Sequence, residues 1–182
     1  METIKINKKA IDRAIEFLNN GGVVIFPTDT VYGFLADASN KKAVNKIYKI
    51  KKRLKSKPLP VFVKDIKMAK ELAEVDKQQE QKLKKYWPGK YTFVLKEKNS
   101  NKTIALRIPK YKPLNNLLKK INKPLTQTSV NISGQTSLTK ISDIIDQFNK
   151  KDILLVDGGN LKKSKPSKII DLTNNKIKIL RK

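Results

Sequence analysis

The sequence predicts a single α/β domain built on a mixed β-sheet, and three observations carry that prediction. Segments with helical apolar spacing alternate with short strand-like runs along the whole chain. Several strand-like runs are joined by hairpin-like stretches, which brings antiparallel pairs into the sheet. No internal repeat and no Pro/Gly/Ser-rich linker divides the 182 residues, a length that suits one well-cored domain spanning residues 1–182.

Each element has its own signal. Residues 7–20 place Ile11, Ala14, Ile15 and Leu18 on one helical face and stop at Asn-Asn-Gly-Gly. Residues 23–26 form a short apolar strand, after which IFPTDTVYGFLAD turns at Gly33. Ala43, Val44, Ile47 and Ile50 mark a second helix over 43–50. A strand over 59–63 precedes helices over 66–73 and 77–86, the latter broken at Trp87-Pro88-Gly89. Residues 91–96 and 103–108 alternate as strands. A helix over 114–121, a strand over 125–130 ending at NISG, a helix over 141–148 and a strand over 153–156 follow. Strands over 169–172 and 177–180 flank the turn Thr173-Asn174-Asn175.

Composition narrows the chemistry. The chain has no Cys and no His, which removes disulfides, thiolates, His-based triads and most zinc sites. Catalysis here must rest on hydroxyls, carboxylates, Lys/Arg and backbone groups. Lys and Arg number 41 against 16 Asp and Glu, a formal charge of +25. Such a field attracts a polyanion such as RNA, although abundant Lys, Ile and Asn also fit AT-rich codon usage. The N-terminus lacks an apolar signal core and no apolar run approaches the ~18 residues of a membrane span, so a cytoplasmic protein away from membranes is expected.

Neither a P-loop nor a Rossmann phosphate loop occurs, and no carboxylate pair has a spacing suggestive of acid/base work. Polar residues gather instead in clusters at element ends. PTDTVYG, residues 27–33, crowds Thr, Asp and Tyr at a strand exit, which a plain turn also requires. KKRLKSKPL, residues 51–59, sets cations near a helix end, suited to a polyphosphate or simply to solvent. In TIALRIP, Arg107 sits in an apolar strand, costly unless it pairs with an anionic ligand or a structural Asp or Glu, and acids are scarce in this chain. TQTSVNISG, residues 126–134, brings hydroxyls and an amide to a strand-to-helix junction, either an anion cradle or ordinary helix capping. PSKIID, residues 166–171, and Arg181 are weaker signals.

In this order, PTDTVYG, K-x-R-x-x-x-K-P-L, W-P-G-x-x-T, A-x-R-x-P, T-S-x-N-x-S-G and P-S-x-I-x-D, the chain resembles the YrdC-like family, the threonylcarbamoyl-AMP synthases, from about Ile11 to Arg181. It is similar to the short form without a second C-terminal domain. The resemblance implies a twisted mixed sheet with flanking helices around a basic concave cavity. It implies that L-threonine, bicarbonate or CO2, and ATP (with Mg2+) give L-threonylcarbamoyl-adenylate and pyrophosphate. A partner threonylcarbamoyl transferase then makes t6A in tRNAs reading codons that begin with A, and direct tRNA binding is a further partner expectation.

By the same resemblance, Lys51 and Arg53 are the catalytic cations, and with Lys57 they hold the ATP phosphates. Thr103, Ser129, Asn131 and Ser137 contact the nucleotide, and Arg181 closes over it. Thr30, Arg107 and Ser167 take threonine, while Tyr32-Gly33 shapes the pocket wall; Thr28 and Asp29 stay unassigned, with loop capping as their plain alternative. Three positions depart from the family pattern: Leu54 where Pro is common, Phe62 where His is common, and Gln127 where a small hydroxyl is common. The rival reading is a non-catalytic RNA-binding module of the same fold. A carbamoyl-transfer domain of hydrogenase maturation is a third, but those proteins carry Cys-rich zinc segments, which this sequence lacks.

Overall fold

A computed structural model describes residues 1–149, 151–162, 164–174 and 178–181. The described residues form one mixed ten-stranded sheet in the order β1-β8-β2-β3-β7-β4-β6-β5-β9-β10, with six helices. The strands are β1 (Glu2–Lys5), β2 (Val23–Phe26), β3 (Gly33–Asp37), β4 (Val61–Phe62), β5 (Tyr91–Lys96), β6 (Thr103–Arg107), β7 (Leu125–Ser129), β8 (Ile153–Asp157), β9 (Lys168–Asp171) and β10 (Lys178–Arg181). The helices are α1 (Lys8–Asn19), α2 (Lys41–Lys51), α3 (Ile66–Leu72), α4 (Lys77–Tyr86), α5 (Lys112–Ile121) and α6 (Ile141–Phe148). β8 pairs parallel with both β1 and β2, and β5 with β9, whereas β2–β3, β3–β7, β5–β6 and β9–β10 are antiparallel.

The elements read from the sequence are present, with ends shifted by a few residues at most, and two strands are added. β1 reads as a polar stretch because it is mostly exposed and rests on the sheet through its pairing with β8. Gly33 does not turn the chain: it opens β3, whose five residues are all buried between helices on both faces, so no polar alternation marks it. The last expected strand began at Ile177 and its turn included Asn175, which lie outside the described residues. The polar TQTSVNISG stretch does not run into a helix; β7 ends at Ser129 and α6 begins only at Ile141.

Strand alternation sorts the core onto two faces. On one, Val24, Phe26, Leu35, Phe62, Leu125, Leu154 and Val156 pack under α1 and α5. On the other, Val23, Ile25, Phe34 and Leu155 meet α2 and α6, and Val61, Phe93 and Leu106 meet α3 and α4. The first cluster ends at Phe62. Beyond it the same face continues through Val94, Ala105, Arg107 and Ile169, which line a cavity.

Candidate active site

Two adjoining cavities of about 300 Å³ each occupy this open part of the sheet and its rim. Lys51, Lys52, Arg53, Lys57, Ser129, Asn131 and Ser133 are among the residues lining the first. Thr30, Arg53, Arg107, Gln127, Ser167 and Arg181 are among those lining the second. Arg53, Thr128 and Ser129 belong to both walls, and among the described residues no carboxylate lines either one. Clusters far apart in sequence thus meet in one cationic cleft.

Local rules place the cations. α2 ends with Lys52 in the left-handed region (φ 49), and Arg53 N returns to Tyr48 O while Lys52 N reaches Lys49 O. This reversal satisfies the last carbonyls and swings the basic loop back beside the helix end. Arg53 then clamps its own loop, donating Nε to Lys57 O (2.9 Å) and Nη2 to Pro58 O (3.2 Å). Its Nη1 has no partner among the described residues.

Lys51 is different. It is 2% exposed, and its three protons are committed to Ser129 O (2.5 Å), Asn131 O (2.9 Å) and Asn131 Oδ1 (3.0 Å). Burial, and secondarily the positive Arg53, push its pKa down to about 8. Asn131 is equally occupied: Oδ1 also accepts from Ser129 Oγ (2.7 Å), and Nδ2 donates to Ile132 O and Gln135 O. Both residues organise the loop after β7 around the end of α2, where the resemblance had them reaching a nucleotide directly.

The second cavity is built on Arg107, 2% exposed. Nη2 donates to Asp29 Oδ1 (2.6 Å), Nε donates to Gly89 O (2.9 Å), and the guanidinium lies 5.7 Å from the centre of the Phe62 ring. The other Asp29 oxygen accepts from Lys110 N (3.1 Å). Asp29 therefore does more than cap its loop; it supplies the carboxylate that makes a buried arginine tolerable. Phe62, standing where the family commonly has His, packs beneath that arginine. Arg107 Nη1 is left without a partner among the described residues.

Thr30 Oγ1 lies 3.0 Å from Thr28 Oγ1. Ser167 Oγ lies 2.8 Å from Thr92 Oγ1 and accepts from Arg181 Nη2 (3.2 Å), while Arg181 Nε donates to Ser167 O (2.9 Å). A register shift between Ile179 and Arg181 bends β10 so that both Leu180 and Arg181 reach the cavity. Tyr32 pins the strand exit to the end of β8, donating to Gly159 O (2.7 Å) and accepting from Gly158 N (2.9 Å). Burial raises its pKa to about 12, so it stays a neutral anchor.

Of the residues named from sequence, Lys51, Arg53, Lys57, Ser129 and Asn131 come together at the first cavity, and Thr30, Arg107, Ser167 and Arg181 at the second. Thr103, at the exposed start of β6, and Ser137, in loop 130–140, line neither. Sequence reasoning missed Asp29 and Thr28 as parts of the site, and Ser133, whose buried Oγ has no partner among the described residues. The scarcity of acids was the available signal for Asp29: a buried Arg in this chain has few carboxylates to choose from.

The mixed sheet and the two adjoining cavities define an α/β protein with a cationic cleft. The Sua5/YciO/YrdC family, described as "Telomere recombination", matches residues 16–182, and the chain belongs to that family. A Methanocaldococcus jannaschii relative is 38% identical over 95% of this chain and 87% of its own length. The threonylcarbamoyl-AMP synthase of Pyrococcus abyssi is 32% identical over 93% of this chain, which spans only 52% of that enzyme. The crystal structure of P. abyssi Sua5 complexed with L-threonine superposes with a TM-score of 0.90 at 30% identity, covering 99% of this chain and 56% of that one.

Proposed function

We propose that this chain is a threonylcarbamoyl-AMP synthase, a nucleotidyltransferase that joins L-threonine, bicarbonate or CO2, and ATP into L-threonylcarbamoyl-adenylate and pyrophosphate. One observation carries the reading: a cavity lined by four cations adjoins one containing Arg107, and Arg53 and Ser129 stand on the wall between them. Two anionic reactants held side by side need this arrangement, since their repulsion is the barrier that positioning and fixed positive charge offset.

In the second cavity, Arg107 Nη1 and Ser167 take the threonine carboxylate and Thr30 faces its amine end. The amine adds to CO2 and loses a proton, giving the carbamate. A carbamate oxygen forms a bond to the α-phosphorus of ATP as the bond to the bridging oxygen breaks, and pyrophosphate leaves. Arg53 is placed to meet charge on both reactants, and Lys52 and Lys57 face the phosphates. Lys51 contributes its charge from behind and holds the Ser129–Asn131 loop. Thr103, Ser137 and Arg181 are assigned to the nucleotide on the family motif alone.

Mg2+ fits this pocket poorly as a protein-held ion. Among the described residues, no carboxylate lines the first cavity and no group of three or more metal-binding side chains gathers. The ion is therefore assigned to ATP itself, carried on the phosphates. No described helix is long and apolar enough to cross a membrane; a cytoplasmic role is part of the proposal. Its product would pass to a transferase that completes t6A on tRNA. The test mixes protein, ATP, Mg2+, bicarbonate and L-threonine and follows pyrophosphate. Release requiring both threonine and bicarbonate is expected; release indifferent to either would refute the reading.

A further inference from the structure

The two hydroxyls that flank Arg107 in the second cavity have opposite hydrogen-bond polarity, and neither sets that polarity by itself. A threonine or serine hydroxyl has one proton and two lone pairs. Thr28 Oγ1 lies 2.7 Å from Val31 O, which can only accept, so the Thr28 proton is committed there. Thr30 N donates to Thr28 Oγ1 at 3.0 Å, filling one of its lone pairs. At the 3.0 Å contact between the two hydroxyls, Thr30 must then be the donor and Thr28 the acceptor. Thr28 is complete, with one bond given and two received. Thr30 has no proton left, and it lines the cavity with lone pairs alone.

Ser167, the other hydroxyl, has the reverse polarity. Thr92 is 2% exposed, and among the described residues Ser167 Oγ is the only acceptor for its proton. Ser167 Oγ also receives Arg181 Nη2, so both its lone pairs are engaged and its own proton is free to point into the cavity. Arg107 Nη1 adds a second free donor. A ligand in this cavity meets donors from Ser167 and Arg107 and an obligate acceptor from Thr30.

We propose that Thr28 is a positioning residue that determines substrate polarity: by accepting the proton of Thr30 it makes Thr30 an obligate acceptor for an N–H or O–H of an amino acid whose carboxylate lies at Arg107 and Ser167. This rests on the synthase reading above and adds a residue to it. Thr28 touches no substrate and acts only through Thr30. Replacing it with Val frees the Thr30 proton, which then points at a group that also donates, while the ATP cavity is untouched.

The experiment is calorimetric binding of L-threonine, L-2-aminobutyrate and ATP to the intact chain and to Thr28→Ser, Thr28→Cys and Thr28→Val. Thr28→Ser keeps the hydroxyl and should bind threonine within about twofold of the parent. Thr28→Val should lose about tenfold in threonine affinity, the worth of one charge-assisted bond, with ATP affinity unchanged. Thr28→Cys, close in shape but a poor acceptor, should fall between and serves if the Val variant does not fold. L-2-aminobutyrate lacks the side-chain hydroxyl. Equal loss for both amino acids in Thr28→Val puts the amine at Thr30; loss for threonine alone puts the hydroxyl there, and either supports the proposal. Unchanged threonine affinity in Thr28→Val, parallel loss of ATP affinity, or a Ser variant as weak as Val would overturn it. If the parent itself binds no threonine, the synthase reading fails and takes this inference with it, an outcome distinct from a parent that binds and variants that do not differ.

Discussion

Arg107 shows how a single side chain can be a structural member and a ligand group at once. Asp29 and Gly89 O hold two of its nitrogens and leave Nη1 for the cavity. Deleting it strands a buried carboxylate, at a cost of about 3–5 kcal/mol, so Arg107→Ala confuses unfolding with lost binding. Arg107→Lys keeps the charge without the fork. We expect it to fold, to raise the threonine KM at least about tenfold and to leave the ATP KM near the parent's; steady-state kinetics in each substrate would check this. Lys51 makes a prediction about pH. Its folded pKa of about 8 lies below the ~10.4 of an unfolded lysine. Between those values the unfolded chain binds more protons, so this residue's contribution to stability rises with pH there and is lost as pH falls through about 8. The Tm gap between the parent and Lys51→Met should accordingly move in the parent's favour from pH 7 to 10. A gap that does not move would mean Lys51 keeps an ordinary pKa.

At the scale of elements, the site depends on how helices end. α4 begins with a reciprocal cap, Asp76 accepting from Gln79 N and Gln79 returning to Asp76 N. It finishes at Trp87, two residues before the Gly89 carbonyl that holds Arg107. Asp76→Ala should cost about 1 kcal/mol, read as a lowered Tm, while the threonine and ATP KM values stay close to the parent's. A KM change out of proportion to the Tm change would mean the cap also sets the position of Gly89. α1 and α5 were legible because their buried residues, Ala10, Ile11, Ala14 and Leu18, and Leu114, Leu117, Leu118 and Ile121, recur at helical spacing. β3 was not, because a strand covered on both faces has no alternation to read.

For the whole molecule, a charge of +25 acts on any polyanion regardless of the cleft. The cleft accounts for few of the 41 cations, so binding of tRNA driven by this field should fall steeply with salt and survive Lys51→Met/Arg53→Met. Filter binding between about 50 and 200 mM salt would check it. Loss of tRNA binding in that double variant would instead place RNA in the cleft and favour the RNA-binding reading.

The α/β class, most element positions and the types of side chain available were legible in the chain, because apolar periodicity and turn residues act over a few positions. The sequence also ordered the motifs that place Thr30, Arg53, Arg107 and Ser167 in one family. What those side chains have left to offer follows from their folded neighbours. Lys51 has its protons committed to carbonyls, Arg107 is paired with Asp29, and Thr30 is turned into an acceptor by Thr28. A hydrogen-bonding group has a fixed number of protons and lone pairs, and which remain free depends on neighbours that folding brings from far along the chain, 127 residues away for Tyr32.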